Sequence, residues 1–381
     1  MKIESSVQLT RMLLQENTCT GSFDSQLSLQ IAGWLESMGF DVELVEVDGI
    51  VHLCGSIGPK DAPTRLAFVG HYDTVGAGEG WTHPPFGAAE DNGILYGRGA
   101  SDMKSGDAAM IFAAVKLATL GVRSTVFLPG DEETTSRGMP ALLGRVGSEF
   151  DYCICGEPTS KKRLGDCVKV GRRGAIGAQV SLKGQRGHTA YADITPNVAH
   201  ALPAVITELA KPWNDACYGI ATTLSITTLS TDSTALNVIP GVVSFKFDMR
   251  FAPNRSIEEM QRAILARLDA LGVAYEVEWR QGTPPYVTGV GAEPTSPQGK
   301  LISITQSVIE EMLGMTPALT CDGGTSDARF LAWRGVPTIE FGVPHGNMHG
   351  SDEFVEVRNI ELLEQVLVEI GKRLLKTKSQ L

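Results

Sequence analysis

Four places in this chain put metal-binding side chains where an α/β fold keeps its ligands. His71-x-Asp73 follows the apolar run Leu66-Ala67-Phe68-Val69, Asp131-Glu132-Glu133 follows Thr125-Val126-Phe127-Leu128, and Glu157 follows Tyr152-Cys153-Ile154-Cys155. Each run reads as a short buried strand, and open α/β sheets bind ligands beyond the carboxyl ends of their strands. The fourth place is the glycine-loosened loop Tyr96-Gly97-Arg98-Gly99-Ala100-Ser101-Asp102, which delivers Asp102 to the front of a helix closed by Gly121. A lone Asp at a helix start ordinarily caps it. Four such placements together argue for a metal site instead.

The late loop Pro344-His345-Gly346-Asn347-Met348-His349 adds two histidines. The candidate ligands are therefore His71, one of His345 and His349, and the carboxylates of Asp102, Glu133 and Glu157. Such a mixed nitrogen and oxygen set suits zinc, with manganese or cobalt as substitutes. One carboxylate can bridge two ions about 3.5–4 Å apart, as in two-metal hydrolases. Asp73, two residues after His71, is placed to hold the imidazole, because a metal-bound histidine donates its other N–H to such an acceptor. Glu132, beside a ligand without having to be one, is the expected general base.

The elements that must position these groups alternate between strand and helix. Residues 8–15 suggest a helix, and Asp24 or Ser25 caps a second one ended by Gly39. Phe40–Leu44 alternates as a half-buried strand, before the buried strand that ends at His71. After Gly171-Arg172-Arg173-Gly174 the pattern changes to strand (Ile176–Leu182), helix (Asn197–Ala210), strands (Thr222–Leu229 and Val242–Phe251), helix (Ile257–Leu271) and strand (Ala274–Trp279). That order, β-α-β-β-α-β, is ferredoxin-like. A helix over Lys300–Leu313, a strand over Pro337–Phe341 and a last amphipathic helix resume the first style. The fold class is α/β, with residues 1–174 and 286–381 forming a catalytic domain and residues 175–285 inserted into it.

Composition narrows the function. The formal charge of −11 and a pI near 5.2 over 381 residues argue against nucleic acid and anionic membranes as partners. No apolar run is long enough to span a membrane. The start, Met1-Lys2-Ile3-Glu4, has an early acid and no apolar signal core, so a cytoplasmic location is expected. Seven scattered cysteines in such a chain are expected to be reduced, with Cys153 and Cys155 serving as core residues.

His71-x-Asp73, Gly97-Arg98-Gly99-x-x-Asp102-Met103-Lys104, Asp131-Glu132-Glu133, Gly156-Glu157-Pro158 and His349 together resemble the di-zinc deacylase and exopeptidase family over nearly the whole chain. The resemblance implies a zinc-exopeptidase-like domain with a mixed sheet flanked by helices, and an inserted ferredoxin-like α+β domain that dimerises and acts as a lid. It implies two zinc ions, with His71 and Glu157 on one, Glu133 and His349 on the other, and Asp102 bridging through a loop that contains a cis Asp102–Met103 peptide. It also implies Glu132 as base, and a homodimer in which His188 reaches the partner subunit's site.

Gly156-Glu157-Pro158-Thr159, Gly187-His188-x-Ala190-Tyr191, Asn237-Val238-Ile239-Pro240 and Gly323-Gly324-Thr325-Ser326-Asp327 are most similar to the family's desuccinylase branch. That likeness implies hydrolysis of N-succinyl-diaminopimelate to succinate and diaminopimelate, in lysine biosynthesis. Lys169, Arg172, Tyr191, Asn237, Arg250, Gly324 and Thr325 would handle the substrate. Ala175 and His345 depart from that branch's usual serine and asparagine, and His349-Gly350-Ser351-Asp352-Glu353 resembles the acetylornithine deacetylase branch. The alternatives are thus a deacylase of another N-acyl amino acid, a carboxypeptidase on the same metals, and, more remotely, a non-catalytic metal-binding scaffold.

Overall fold

Apolar strands that run continuously must be covered on both faces, and the larger part of this chain is built that way. The computed structural model describes residues 3–21, 25–289 and 292–378; the expected cap at Asp24 lies outside the described residues. Two compact units emerge. The first comprises Met1–Gly171, Thr288–Thr320 and Thr325–Leu381, and the second Arg172–Val287 with Cys321–Gly324.

The first unit holds an eight-stranded mixed sheet, ordered Asp41–Val47, Ile50–Ile57, Arg123–Leu128, Arg65–Val69, Tyr152–Cys155, Thr338–Glu340, Cys167–Lys169, Ala318–Thr320. Its centre is parallel. Val69 pairs with Phe127 on one side and Cys155 on the other, so three strands end level. That register continues past the strands, where the Gly70 amide donates to Phe127 O (3.0 Å) and the Gly156 amide to Val69 O (3.0 Å). Three apolar runs far apart in sequence thus deliver their following residues to one edge. Ala67, Val69, Phe127, Met139, Leu142, Cys153 and Cys155 pack into one buried cluster. Truncating a side chain such as Phe127, which is fully buried, costs about 3–5 kcal/mol. Helix Ser105–Ala118 packs against Ser6–Leu14 and the long helix Val357–Lys378.

The second unit is a four-stranded antiparallel sheet, ordered Thr223–Thr231, Val242–Phe251, Gly174–Lys183, Tyr275–Trp279. With strands numbered in chain order this is 2-3-1-4, the ferredoxin-like arrangement. Burial alternates strictly along the two central strands. Ile176, Val180, Phe245, Phe247 and Met249 face inward and meet Val205, Leu209, Met260 and Ile264 of two helices. Helix Ile257–Asp269 begins in a capping box, with Ser256 and Glu259 each accepting the other's amide.

One local expectation changes. The helix expected over Asn197–Ala210 starts as a 3-10 turn, Val198–Ala201, and becomes α-helical only over Leu202–Leu209. Pro203 marks the break: without an N–H it cannot donate to the Ala199 carbonyl, so an α-helix cannot run through from Asn197, and it sits instead in the first turn of Leu202–Leu209, where no such bond is needed. Asp102 does not cap a helix. It lies inside a tight turn, Ala100–Lys104, with φ −122° and ψ 91°, and the helix starts at Ser105. The Asp102–Met103 peptide is cis.

Candidate metal centre

His71 is fixed by what its first nitrogen touches. Nδ1 donates to the main-chain carbonyl of Asp73 (2.9 Å), which leaves Nε2 facing Asp102 Oδ1 at 3.3 Å and Glu157 Oε1 at 3.9 Å. Asp102's other oxygen, Oδ2, lies 3.2 Å from His349 Nε2, and His349 Nε2 lies 3.1 Å from Glu133 Oε1. The five residues therefore form two trios that share Asp102. Ligands arranged tetrahedrally about 2.0–2.1 Å from a zinc ion lie roughly 3.3 Å apart, and these separations bracket that value. An imidazole nitrogen facing a carboxylate needs a proton or a metal ion between them, and the donor types and spacing here fit two divalent ions.

Electrostatics point the same way. Burial alone would lower the His71 imidazole, but hydrogen bonds to Asp102 and Asp73 raise it well above its usual value. Hydrogen bonds to Asp102 and Glu133 push His349 up to about 10. Burial would raise the Asp102 carboxyl, yet His349 and His71 hold it well below the usual range. Each group is tuned to the charge of the others.

Glu132 differs. Withdrawal from water, with Glu157 close by, raises its carboxyl well above the carboxylate range. A carboxylate oxygen of Glu132 lies within 4.8 Å of ligand atoms of His71 and Glu157. A carboxyl raised in this way is a stronger base than a free carboxylate, beside the ligand cluster.

Asp73 holds His71 mainly through its carbonyl, with the carboxylate 3.5 Å from Nδ1. That carboxylate has another task. Oδ1 accepts the Glu132 amide (3.2 Å) and Oδ2 the Glu133 amide (3.0 Å), which fixes the loop bearing both acids. Of the two late histidines, the structure brings His349 to the cluster, while His345 Nδ1 turns to Met348 Sδ (3.4 Å). The turn that does this needs Gly346, since a Cβ there would meet Phe354 O at 1.9 Å. His349 itself is held at φ +62°.

The residues expected to handle substrate fall into separate groups. Lys169 is buried at the end of strand Cys167–Lys169, and Thr325 is half-buried in the turn before Ser326. In the second unit, His188, Tyr191 and Asn237 are exposed and adjacent: the His188 and Tyr191 rings are 6.1 Å apart, and the Thr189 amide donates to Asn237 O. Arg172 is buried and donates to the carbonyl of Asp322, two residues before the exposed Gly324. Arg250 pairs across the sheet with Ala175 and donates to Asp248 (2.9 Å).

Sequence reasoning missed one acid. Glu353 is fully buried and accepts hydrogen bonds from Arg98, Gly99, Ser101 and Asp102. The only signal was its place four residues after His349. Of the other three histidines, buried His52 accepts the Gly130 amide, His83 stacks on Tyr96 at 4.0 Å, and His200 is exposed.

Comparison with known proteins bears on this geometry. The family described as peptidase family M20/M25/M40 matches residues 67–373. The chain is 34% identical over 376 residues to a succinyl-diaminopimelate desuccinylase from Janthinobacterium sp. (strain Marseille), across 96% of this chain and 97% of that protein. It is 35% identical over 380 residues to the enzyme of the same name from Hydrogenovibrio crunogenus, with the same coverages. Its fold matches that of a dinuclear metal-binding peptidase from Bacillus subtilis with a TM-score of 0.68, at 16% identity, over 98% of each chain.

Proposed function

The chain belongs to peptidase family M20/M25/M40, and we propose that it is a di-metal amidohydrolase that removes the succinyl group of N-succinyl-diaminopimelate, in lysine biosynthesis. One observation carries the metal reading: the two oxygens of Asp102 face two different imidazoles, His71 at 3.3 Å and His349 at 3.2 Å. His71, Glu157 and Asp102 would hold one ion, and His349, Glu133 and Asp102 the other. Zinc suits these donors, with cobalt or manganese as substitutes. When bound, such ions supply Lewis acidity that polarises an amide carbonyl and lowers the pKa of water.

The chain's own residues do the rest. Glu132 takes a proton from the attacking water and returns it to the departing amine, for which its raised carboxyl is suited. Asp73 holds the Glu132 and Glu133 main chain in place. Lys169, Arg172 and Arg250 are the fixed cations for substrate carboxylates, with Tyr191, Asn237, Gly324 and Thr325 as further binding groups. Arginine suits this task because its planar fork pairs with a carboxylate bidentately. The names of the full-length relatives support the succinyl substrate.

We further propose a homodimer joined through the second unit. Its edge strand Thr223–Thr231 has one neighbour among the described residues and leaves Leu229 exposed. His188 then serves the other protomer's site as a donor to the developing oxyanion. Seven buried cysteines, none of them in a disulfide, support a reducing, cytoplasmic setting, and no helix among the described residues is long and apolar enough to cross a membrane.

Metal reconstitution tests the reading. Chelator-treated protein should lose hydrolysis of the succinyl substrate and recover it with up to two equivalents of zinc or cobalt. Full turnover in protein shown to be metal-free would refute it.

A further inference from the structure

A bridging carboxylate works only if its loop is held still, and the turn bearing Asp102 has no side-chain cap of its own. We infer that Glu353 is a positioning residue for the metal centre, acting through the main chain of Asp102; this rests on the di-metal reading above.

The contacts are dense and of one kind. Glu353 Oε2 accepts from Arg98 Nη1 (2.7 Å) and the Gly99 amide (2.9 Å). Oε1 accepts from the Ser101 amide (2.9 Å), Ser101 Oγ (3.0 Å) and the Asp102 amide (3.0 Å). A carboxylate offers about four lone-pair sites, so these five donors use all of its capacity. The three amides belong to a tight turn and to the glycine before it, where no helical partner is available, and they would otherwise be buried without acceptors. Arg98 is as buried as Glu353, so the charge is compensated where it sits.

Glu353 also ties this turn to the loop of His349. Its own carbonyl accepts the Gly97 amide (3.0 Å), and the next residue, Phe354, donates to Gly346 O (2.8 Å). Arg98 Nη2 reaches the His349 carbonyl at 3.4 Å, and Ser101 Oγ reaches the His345 carbonyl at 2.9 Å. The carboxylate therefore sits where the two loops cross, and it sets the 3.2 Å approach of Asp102 Oδ2 to His349 Nε2. It bonds main chain and Arg98 rather than any ligand atom, so its effect on chemistry passes through Asp102.

Two substitutions separate charge from reach. Glu353→Gln keeps the shape but replaces one acceptor oxygen with an NH2 donor, which must then face the N–H groups on one side. Glu353→Asp keeps the charge but is one methylene short of spanning both sets of donors. Ser101→Ala, which removes one donor of the five, is the milder companion.

The experiment titrates chelator-treated protein with cobalt, followed by visible absorption, and measures kcat and KM on the reloaded enzyme. Glu353→Gln should bind the second ion about 10–100-fold more weakly and lose kcat by a similar factor, with KM within about threefold. Glu353→Asp should fall between it and the wild type, and Ser101→Ala should show the smallest loss. Wild-type affinity for both ions and wild-type kcat in folded Glu353→Gln would overturn the inference. If that variant does not fold, unchanged affinity and kcat in both Glu353→Asp and Ser101→Ala would overturn it. A wild-type protein that binds no cobalt would instead sink the di-metal reading itself, before any variant is compared.

Discussion

His349 Nε2 approaches Asp102 Oδ2 to 3.2 Å, although the two residues arrive from opposite ends of the chain. Asp102 comes from a turn before helix Ser105–Ala118, and His349 from a loop before helix Val357–Lys378, two helices that pack together. Helix packing thus brings the loops of two proposed ligands together.

This pairing predicts how metal affinity varies with pH. Hydrogen bonds to Asp102 and Glu133 hold the His349 imidazole up at about 10, and His71 is also raised. At neutral pH both imidazoles of metal-stripped protein carry protons that an ion must displace. Apparent affinity should therefore rise between pH 6 and 8, by up to about tenfold per pH unit for each proton released. Competition against a chelating dye at several pH values measures this. A flat profile would mean that the imidazoles are not the groups displaced.

Glu132→Gln removes the proposed proton carrier while leaving its shape. Metal content should stay close to two ions, and kcat should fall by about 10²–10⁴-fold. Near-normal turnover in the metal-replete variant would remove Glu132 from the mechanism.

Much of this site was legible because buried parallel strands write themselves as continuous apolar runs. Leu66–Val69, Thr125–Leu128 and Tyr152–Cys155 mark where the sheet ends, and His71, Glu132, Glu133 and Glu157 follow at once. The four-stranded sheet was legible through strict alternation along Gly174–Lys183 and Val242–Phe251. Other features have no local signature. Three-residue strands such as Cys167–Lys169 and Ala318–Thr320 are too short to show a period. Residue types alone could not choose between His345 and His349, which differ in backbone conformation and in what each side chain reaches. Glu353 resembles any loop acid until its partners, about 250 residues earlier in the chain, are brought against it.

The cysteines supply an independent check on the core. All seven are buried and none is in a disulfide, and burial pushes Cys54 up to about 12, with Cys153 and Cys155 raised as well. A thiol held that high is not ionised at pH 8, and buried sulfur is inaccessible as well. Folded protein should react slowly or not at all with a disulfide reagent at pH 8, and denatured protein should release seven equivalents. Rapid reaction of several thiols in the folded state would contradict the packing.

Shared sites can be tested by mixing two inactive proteins. In a mixed dimer of His188→Ala with Glu132→Gln, both lesions fall in one site and the other is left whole. Activity should reappear on mixing, toward half that of the wild-type per mixed dimer. No recovery, with mixed dimers confirmed by mass, would show that each chain completes its own site.

The most direct test of the account is kcat/KM for N-succinyl-diaminopimelate against acetylornithine, measured on the same zinc-loaded protein. The acyl carboxylate is one of those that Lys169, Arg172 and Arg250 are proposed to pair with, and a site built for it is left with an unpaired cation by an acetyl group. The succinyl substrate should win by a factor of about 10³ or more. An acetyl-amino acid turned over as well or better would contradict the succinyl assignment, while leaving the di-metal amide chemistry in place.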